Sequence, residues 1–317
     1  MVESEWVNRT MTTEFILLGF GDLQHLQILL FLLFLIIYAL TMTGNILIIV
    51  LIVTDQRLHT PMYFFLGNLS SLETCYTSTI LPRMLNSLLT GKRIVPVHGC
   101  LMQLWLAASL AASECYLLSA MSYDRYAAIC RPLHYTRIMN NKVCLQLVAA
   151  SWLCGFIENT ILIVFISELT FCGPSEIEHF FCDFLPIIQL SCTDTYKVQL
   201  ALTIMASFCT LPSFILTIAS YVYIINAILR IPSATGRQKA FSTCSSHLVV
   251  VSIFYGTIII VYVLPKTKIL KELNKVFSVF YTVLTPLVNP LIYSLRNKEV
   301  KEAWKRVVSK CKSNAVM

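Results

Sequence analysis

Apolar residues gather into seven unbroken runs along the chain: Leu26 to Val53, Met62 to Leu81, Leu101 to Ser122, Val143 to Ile166, Val198 to Leu229, Ala240 to Leu264 and Val276 to Leu295. Each is long enough to cross a hydrocarbon core as a helix, which takes about 20 residues, and none contains Lys or Arg. They do not alternate apolar with polar over about 10 residues, as the strands of a membrane barrel would. The pattern predicts an all-α fold: an integral membrane bundle of seven transmembrane helices at 26–295, after an extracellular amino-terminal segment, 1–25, and before a cytoplasmic segment, 296–317. In that last segment Val300, Trp304, Val307 and Val308 recur at helical spacing among Lys298, Lys301, Lys305 and Lys310. This describes a short amphipathic eighth helix lying on anionic lipid, with Cys311 beyond it as a candidate palmitoylation site. Met1 to Leu23 has scattered acids and no basic start followed by an apolar core, so the first span is expected to act as its own insertion signal.

Composition agrees: 56% of the 317 residues are hydrophobic and 13% charged, against roughly 25% charged in ordinary globular chains. The net charge of +7 does not point to nucleic acid, because Lys and Arg sit between the apolar runs rather than on one aromatic-lined face. With the amino terminus outside, fifteen of the 24 Lys and Arg fall on the cytoplasmic side, the bias that sets topology. Four of the twelve cysteines, Cys100, Cys172, Cys182 and Cys192, then face the oxidising side, where two disulfides have three possible connectivities. Asn8-Arg9-Thr10 is a glycosylation sequon on the same side.

A few polar groups stand out within or beside the spans. Asp124-Arg125-Tyr126 places a charged pair at the inner membrane edge, a geometry in which the carboxylate holds the arginine in one state and frees it in another. Asn289-Pro290 weakens the seventh helix by removing a backbone donor. Glu73, Glu114 and Glu158 are acids embedded in the spans, each a functional candidate because such burial is costly; Glu158 is expected to reach toward the membrane interface, with the pocket as the alternative. His179-Phe180-Phe181-Cys182-Asp183 offers too few ligands for a tight metal site.

Four longer strings identify a family. Leu58-His59-Thr60-Pro61-Met62-Tyr63-Phe64-Phe65-Leu66 opens the second span, and Met121-Ser122-Tyr123-Asp124-Arg125-Tyr126-Ala127-Ala128-Ile129-Cys130 closes the third. Lys239-Ala240-Phe241-Ser242-Thr243-Cys244-Ser245-Ser246-His247-Leu248 begins the sixth, and Pro286-Leu287-Val288-Asn289-Pro290-Leu291-Ile292-Tyr293-Ser294-Leu295-Arg296-Asn297 ends the seventh. From Phe15 to Arg306 the chain resembles the olfactory receptors, rhodopsin-like G-protein-coupled receptors, and within them the tetrapod-type branch. Two departures, Ser122 and Ala127 where the family usually has Ala and Val, change no charge. The sixth span has Phe254-Tyr255-Gly256 in place of the proline of most other rhodopsin-like receptors, as olfactory receptors do.

The resemblance implies a receptor in the plasma membrane of olfactory neuron cilia that binds an odorant and activates a stimulatory, olfactory-type G-protein to raise cyclic AMP. It casts Asp124, Arg125 and Tyr126 as the coupling switch, with Tyr221 and Tyr293 rearranging beside them and His247, Asn289 and Pro290 in the same coupling set. It places Glu73 and Glu114 facing the core near Asn45 and Asn289, where a shared proton or a sodium ion would satisfy both, the alternative being two protonated acids hydrogen-bonded to neighbouring Ser, Thr and Asn; no other cofactor is expected. Cys100 is expected to pair with Cys182 and Cys172 with Cys192, tying the outer loop to the third helix.

A pocket is expected among the outer helix halves. Leu104, Ala107, Ala108, Ala111 and Ala112 share a face of the third span, and the alanines leave space there. Opposite them stand Met205, Ala206 and Cys209 from the fifth span, Tyr255, Ile258, Ile259 and Tyr262 from the sixth, and Thr282 from the seventh. With no embedded Asp or Lys assigned to this face, a neutral small organic ligand is expected. A transporter would want inverted repeats and broken helices, and an enzyme a gathered set of acid, base and nucleophile; neither pattern is evident.

Overall fold

The computed structural model describes residues 12–20, 26–172, 175–264, 275–296 and 298–314. The long helices are α1 Gln27–Thr54, α2 Pro61–Thr90, α3 Val97–Cys130, α4 Asn141–Ser167, α5 Tyr196–Leu229, α6 Ala234–Ile258, α7 275–296 and α8 Lys298–Asn314. Their ends carry recognisable signals. Pro61 opens α2, where its missing N–H is no loss, and Gly91 ends it at φ 70°, a conformation that favours glycine. The side chains of Asn140 and Ser233 cap α4 and α6 by accepting from the N–H groups of Val143 and Gly236.

By length and composition α1, α3, α4, α5 and 275–292 of α7 are able to cross a membrane. Their outward faces are greasy: Ile28 is 77% exposed, Val53 71% and Phe208 69%. A bundle that wears such residues outside is built for lipid. The hydroxyl-rich α2 and the basic start of α6 dilute their apolar content, and in α6 the apolar stretch is the shorter His247–Val263. Helix α3 is the hub, packed against α2, α4 and α5, while α5 to α6, α6 to α7 and α7 to α1 close the ring.

Two helices depart from α winding at the same level. Ile259–Val263 continues α6 as a π turn, and Phe280–Leu284 is a π turn within α7. Such wide turns carry an extra residue and turn later side chains onto a different face.

Above the bundle, strands β1 Glu14–Leu17, β2 Ile94–Pro96 and β3 Glu176–Ile177 form a sheet with β1 in the middle, antiparallel to β2 and parallel to β3. Phe15 is wholly buried and meets Phe171 edge to face at 5.2 Å. Cys100 at the head of α3 is bonded to Cys182, with their Cα atoms 5.5 Å apart, and Cys172 to Cys192, with theirs 5.9 Å apart. The segment 175–190 is thereby held over α3, and its short helix Phe184–Gln189 is capped by Asp183. At the opposite end Arg306 donates to Asp55 at 2.8 and 2.9 Å, and the Tyr63 hydroxyl donates to Glu299 at 2.7 Å. These contacts fix α8 against α1 and α2, with Val300 and Ala303 buried and Trp304 46% exposed.

Candidate functional site

Beneath Phe181, Asp183 and Phe184 lies a cavity of about 90 Å³, the space in which the centre of a water molecule can move. One water needs about 10–15 Å³ on this measure, so a small organic molecule fits. All five expected α3 residues line it, Leu104, Ala107, Ala108, Ala111 and Ala112, together with Met205, Ala206 and Cys209 of α5 and Ile258 and Tyr262 of α6. The alanine face is what opens the space: larger residues at these positions would meet α5.

Three expected residues stand elsewhere. Tyr255 lies two turns deeper than Tyr262, wholly buried, where its hydroxyl donates to the Cys115 carbonyl at 2.6 Å and supports the cavity floor. The π turn at Ile259–Val263 breaks the regular winding that would have kept both tyrosines on one face. Ile259 is not among the lining residues, and Thr282 donates to its own helix at the Ser278 carbonyl. Tyr281, one residue earlier and not foreseen, takes the place in the wall.

The polar roof is a connected chain. The Tyr262 hydroxyl donates to Asp183 at 2.6 Å and lies 3.1 Å from the Tyr281 hydroxyl. Tyr281 donates to Ser278 at 3.3 Å, and Ser278 lies 3.2 Å from Nε2 of His179. Both tyrosines sit in the π turns, so the outer loop, α6 and α7 meet through one hydrogen-bonded run. His179 in the loop is 2% exposed. Burial, with Lys275 adding to it, pushes its pKa down to about 3, and it stays neutral.

Glu158 also lines the cavity, the alternative placement rather than the membrane interface. Its carboxylate accepts from the Tyr116 hydroxyl across the α3–α4 seam. With Asp183 it gives the wall two acids that the expected set did not include. Tyr76, Cys115, Asn159, Leu162, Leu202 and Thr210 complete the lining residues that sequence reasoning missed. Of these, the Asn159-Leu162 spacing on α4 was the available signal.

Toward the inner end, Arg125 donates to Asp124 at 2.6 and 3.2 Å, while the Tyr135 hydroxyl donates to the other Asp124 oxygen at 2.8 Å. The carboxylate is buried and the pair is held together. Nearby, Tyr221 of α5 and Nδ1 of His247 of α6 are 2.6 Å apart, and the ring of Tyr126 packs edge-on to Tyr223. The Tyr293 side chain lies outside the described residues, as do Asn8 and the side chain of Cys311.

Between cavity and switch, Asn289 donates to Glu73, and Asn45 donates to the carbonyls of Thr41 and Pro286. Glu73 of α2 and Glu114 of α3 are both wholly buried. Both Glu114 oxygens, one of Glu73, and the side-chain oxygens of Asn45 and Asn289 are buried and meet no donor among the described residues. Among those residues no group of three or more His, Cys, Asp and Glu is disposed to hold a metal ion.

A helical multi-pass membrane protein with a roofed cavity near one end and a held arginine near the other has the plan of a G-protein-coupled receptor. The olfactory receptor family model matches residues 34–311. Human Olfactory receptor 10C1 is 50% identical over 303 residues, 96% of this chain and 97% of its own length. Mouse Olfactory receptor 5G26 is 48% identical over 303 residues, covering 96% and 95%, and human Olfactory receptor 6N1 is 50% identical over 299 residues, covering 94% and 96%. The chain belongs to the olfactory receptor family, which is not a family of enzymes.

Proposed function

We propose that the chain is an odorant-activated receptor in which all seven helices α1 to α7 cross the plasma membrane, with the amino terminus outside and α8 on the inner leaflet. A small organic molecule enters the cavity, repacks the Tyr262–Tyr281 run, and favours a state in which Arg125 leaves Asp124 and meets a G-protein. The G-protein is of the stimulatory, olfactory type, the output is cyclic AMP, and the cilia of olfactory neurons are the site of action. One observation carries this reading: cavity and arginine sit on the same unbroken helix, Leu104 and Arg125 being separated by roughly 31 Å at the rise of an α-helix. Ligand-driven motion of α3 against its neighbours therefore reaches the coupling end directly.

The oxygens around Glu73 and Glu114 fit a hard cation such as sodium, since hard cations take oxygen ligands and these have few other partners. Asn45, Glu73, Glu114 and Asn289 would hold it, supplying positive charge between two acids. The disulfides Cys100–Cys182 and Cys172–Cys192 keep the roof in place, Asn8 carries a glycan, and Cys311 is open to acylation.

Cyclic AMP production in cells expressing the chain and exposed to an odorant panel tests the proposal. Arg125→Ala, reaching the surface and still binding ligand, is expected to lose the response. A normal response in that variant refutes the switch, and silence of the wild type toward every odorant while ligands bind refutes the coupling.

A further inference from the structure

We infer that the cavity is built for a molecule carrying a protonated amine, with the Glu158 carboxylate as its anchor. This deepens the odorant-cavity reading and rests on it. Glu158 stands in the wall roughly 13 Å inside the outer end of α4 at the rise of an α-helix, at membrane depth. A carboxylate there is costly unless it meets hydrogen-bond donors and a counter-charge. A donor is present: the Tyr116 hydroxyl is bonded to Oε1. The counter-charge is not. Among the described residues Glu158 has no ion-pair partner, and no Lys, Arg or His lines the cavity.

The surroundings select further. Asp183, which accepts from the Tyr262 hydroxyl, stands in the roof and adds a polar end to the cavity. Ala108, Ala111, Leu162, Leu202 and Met205 offer an apolar wall for the hydrocarbon part of such a ligand. An ammonium donates to Glu158 and supplies the missing charge, a stronger contact than a neutral hydroxyl makes. The competing role for Glu158 is a clamp between α3 and α4 through Tyr116, which would be indifferent to ligand charge.

Hexylamine, 1-hexanol and hexanoic acid share a carbon skeleton and differ in the end group that meets Glu158. The full-length receptor is to be purified in detergent and its melting followed with each compound at neutral pH, with cyclic AMP measured in parallel in cells. Hexylamine is expected to act at concentrations at least about tenfold lower than 1-hexanol, as a charge-assisted hydrogen bond implies, and hexanoic acid to be inert. Glu158→Gln should erase that advantage and Glu158→Asp should retain it; the Asp variant guards against mere loss of folding. An amine no better than the alcohol, or an amine preference that survives Glu158→Gln, overturns the inference. If 1-hexanol acts, amines do not, and Ala108→Leu abolishes the alcohol response, only the amine inference falls. If the amine effect persists undiminished in Ala108→Leu, the molecule binds elsewhere and the cavity reading falls with it.

Discussion

Gly155 stands where α4 comes closest to α3, and replacing it with alanine is expected to destabilise the receptor strongly. A Cβ atom on Gly155 would lie 2.6 Å from the Ser113 backbone nitrogen and 2.7 Å from the Ser109 carbonyl oxygen, and against the Ser113 hydroxyl as well. Carbon contacts settle near 3.5–4.0 Å, so the helices would have to part by roughly 1 Å. Neither obstacle yields easily. Two of the atoms are backbone, and the hydroxyl already donates to the Ser109 carbonyl at 2.8 Å. Overpacking a tight core costs about 1–3 kcal/mol, and opposed backbones place Gly155→Ala at the upper end, about 3 kcal/mol. The same change at Gly256 is the control. No atom lies within 4 Å of a Cβ there, and alanine is a better helix former than glycine by about 0.8–1.0 kcal/mol. Thermal melting of the purified receptor and surface staining of cells measure both variants. Glu158 is three residues beyond Gly155, so a parted seam also draws it from Tyr116 and weakens ligand response in whatever protein remains folded. A Gly155→Ala receptor that melts with the wild type, or with Gly256→Ala, would show the close approach to be misread.

Ala108→Leu and Ala111→Leu each push three further carbons into the cavity and are expected to abolish or retune odorant responses at normal surface expression; unchanged dose-response curves across an active panel would place the pocket elsewhere. Tyr262→Phe removes the donor to Asp183 and a partner of Tyr281, at about 1–3 kcal/mol for a buried group left short of a partner. The expected result is weaker responses to all ligands, polar or not, and selective loss for hydrogen-bonding ligands alone would mean that the hydroxyl contacts the ligand instead. His179 is held neutral with its pKa near 3 against an ordinary value of 6.5. The unfolded chain therefore takes up the proton first, and stability should fall as pH drops from 6.5 toward 3; His179→Gln should flatten that slope in melting experiments, and an equal slope would refute the assignment.

Apolar runs locate helices in lipid well, because each must be apolar over the whole thickness of the core. They locate helix ends poorly. The run Met62 to Leu81 stops nine residues before α2 does, since Asn86, Ser87 and Thr90 continue the helix into water until Gly91 turns the chain. Likewise α6 begins at Ala234, behind the cap of Ser233, six residues ahead of its apolar run. Hydropathy reads the edge of the lipid, whereas the helix ends at its cap. The outer sheet was not legible, because the short strand Glu14–Leu17 has its partners near residues 95 and 176, and nothing local to the strand names them.

The cavity divides along the same line. Its apolar wall was legible on α3 and α5, where winding is regular and a stripe of small residues keeps its face from Leu104 to Ala112. Its polar half was not. On α6 and α7 the π turns shift the faces, which moves Tyr255 beneath the floor, leaves Ile259 and Thr282 outside the wall and brings Tyr281 into it. Asp183 reaches the cavity because the bond between Cys100 and Cys182 folds its loop inward over α3. Glu158 reaches it because Gly155 lets α4 approach until Tyr116 can span the seam. The cavity's apolar shape follows from helix period, but its polar lining follows from four tertiary devices: two π turns, a loop fastened to α3, and one glycine. A relative keeping the alanine stripe while losing any of these devices should keep a cavity of similar size and change what it recognises.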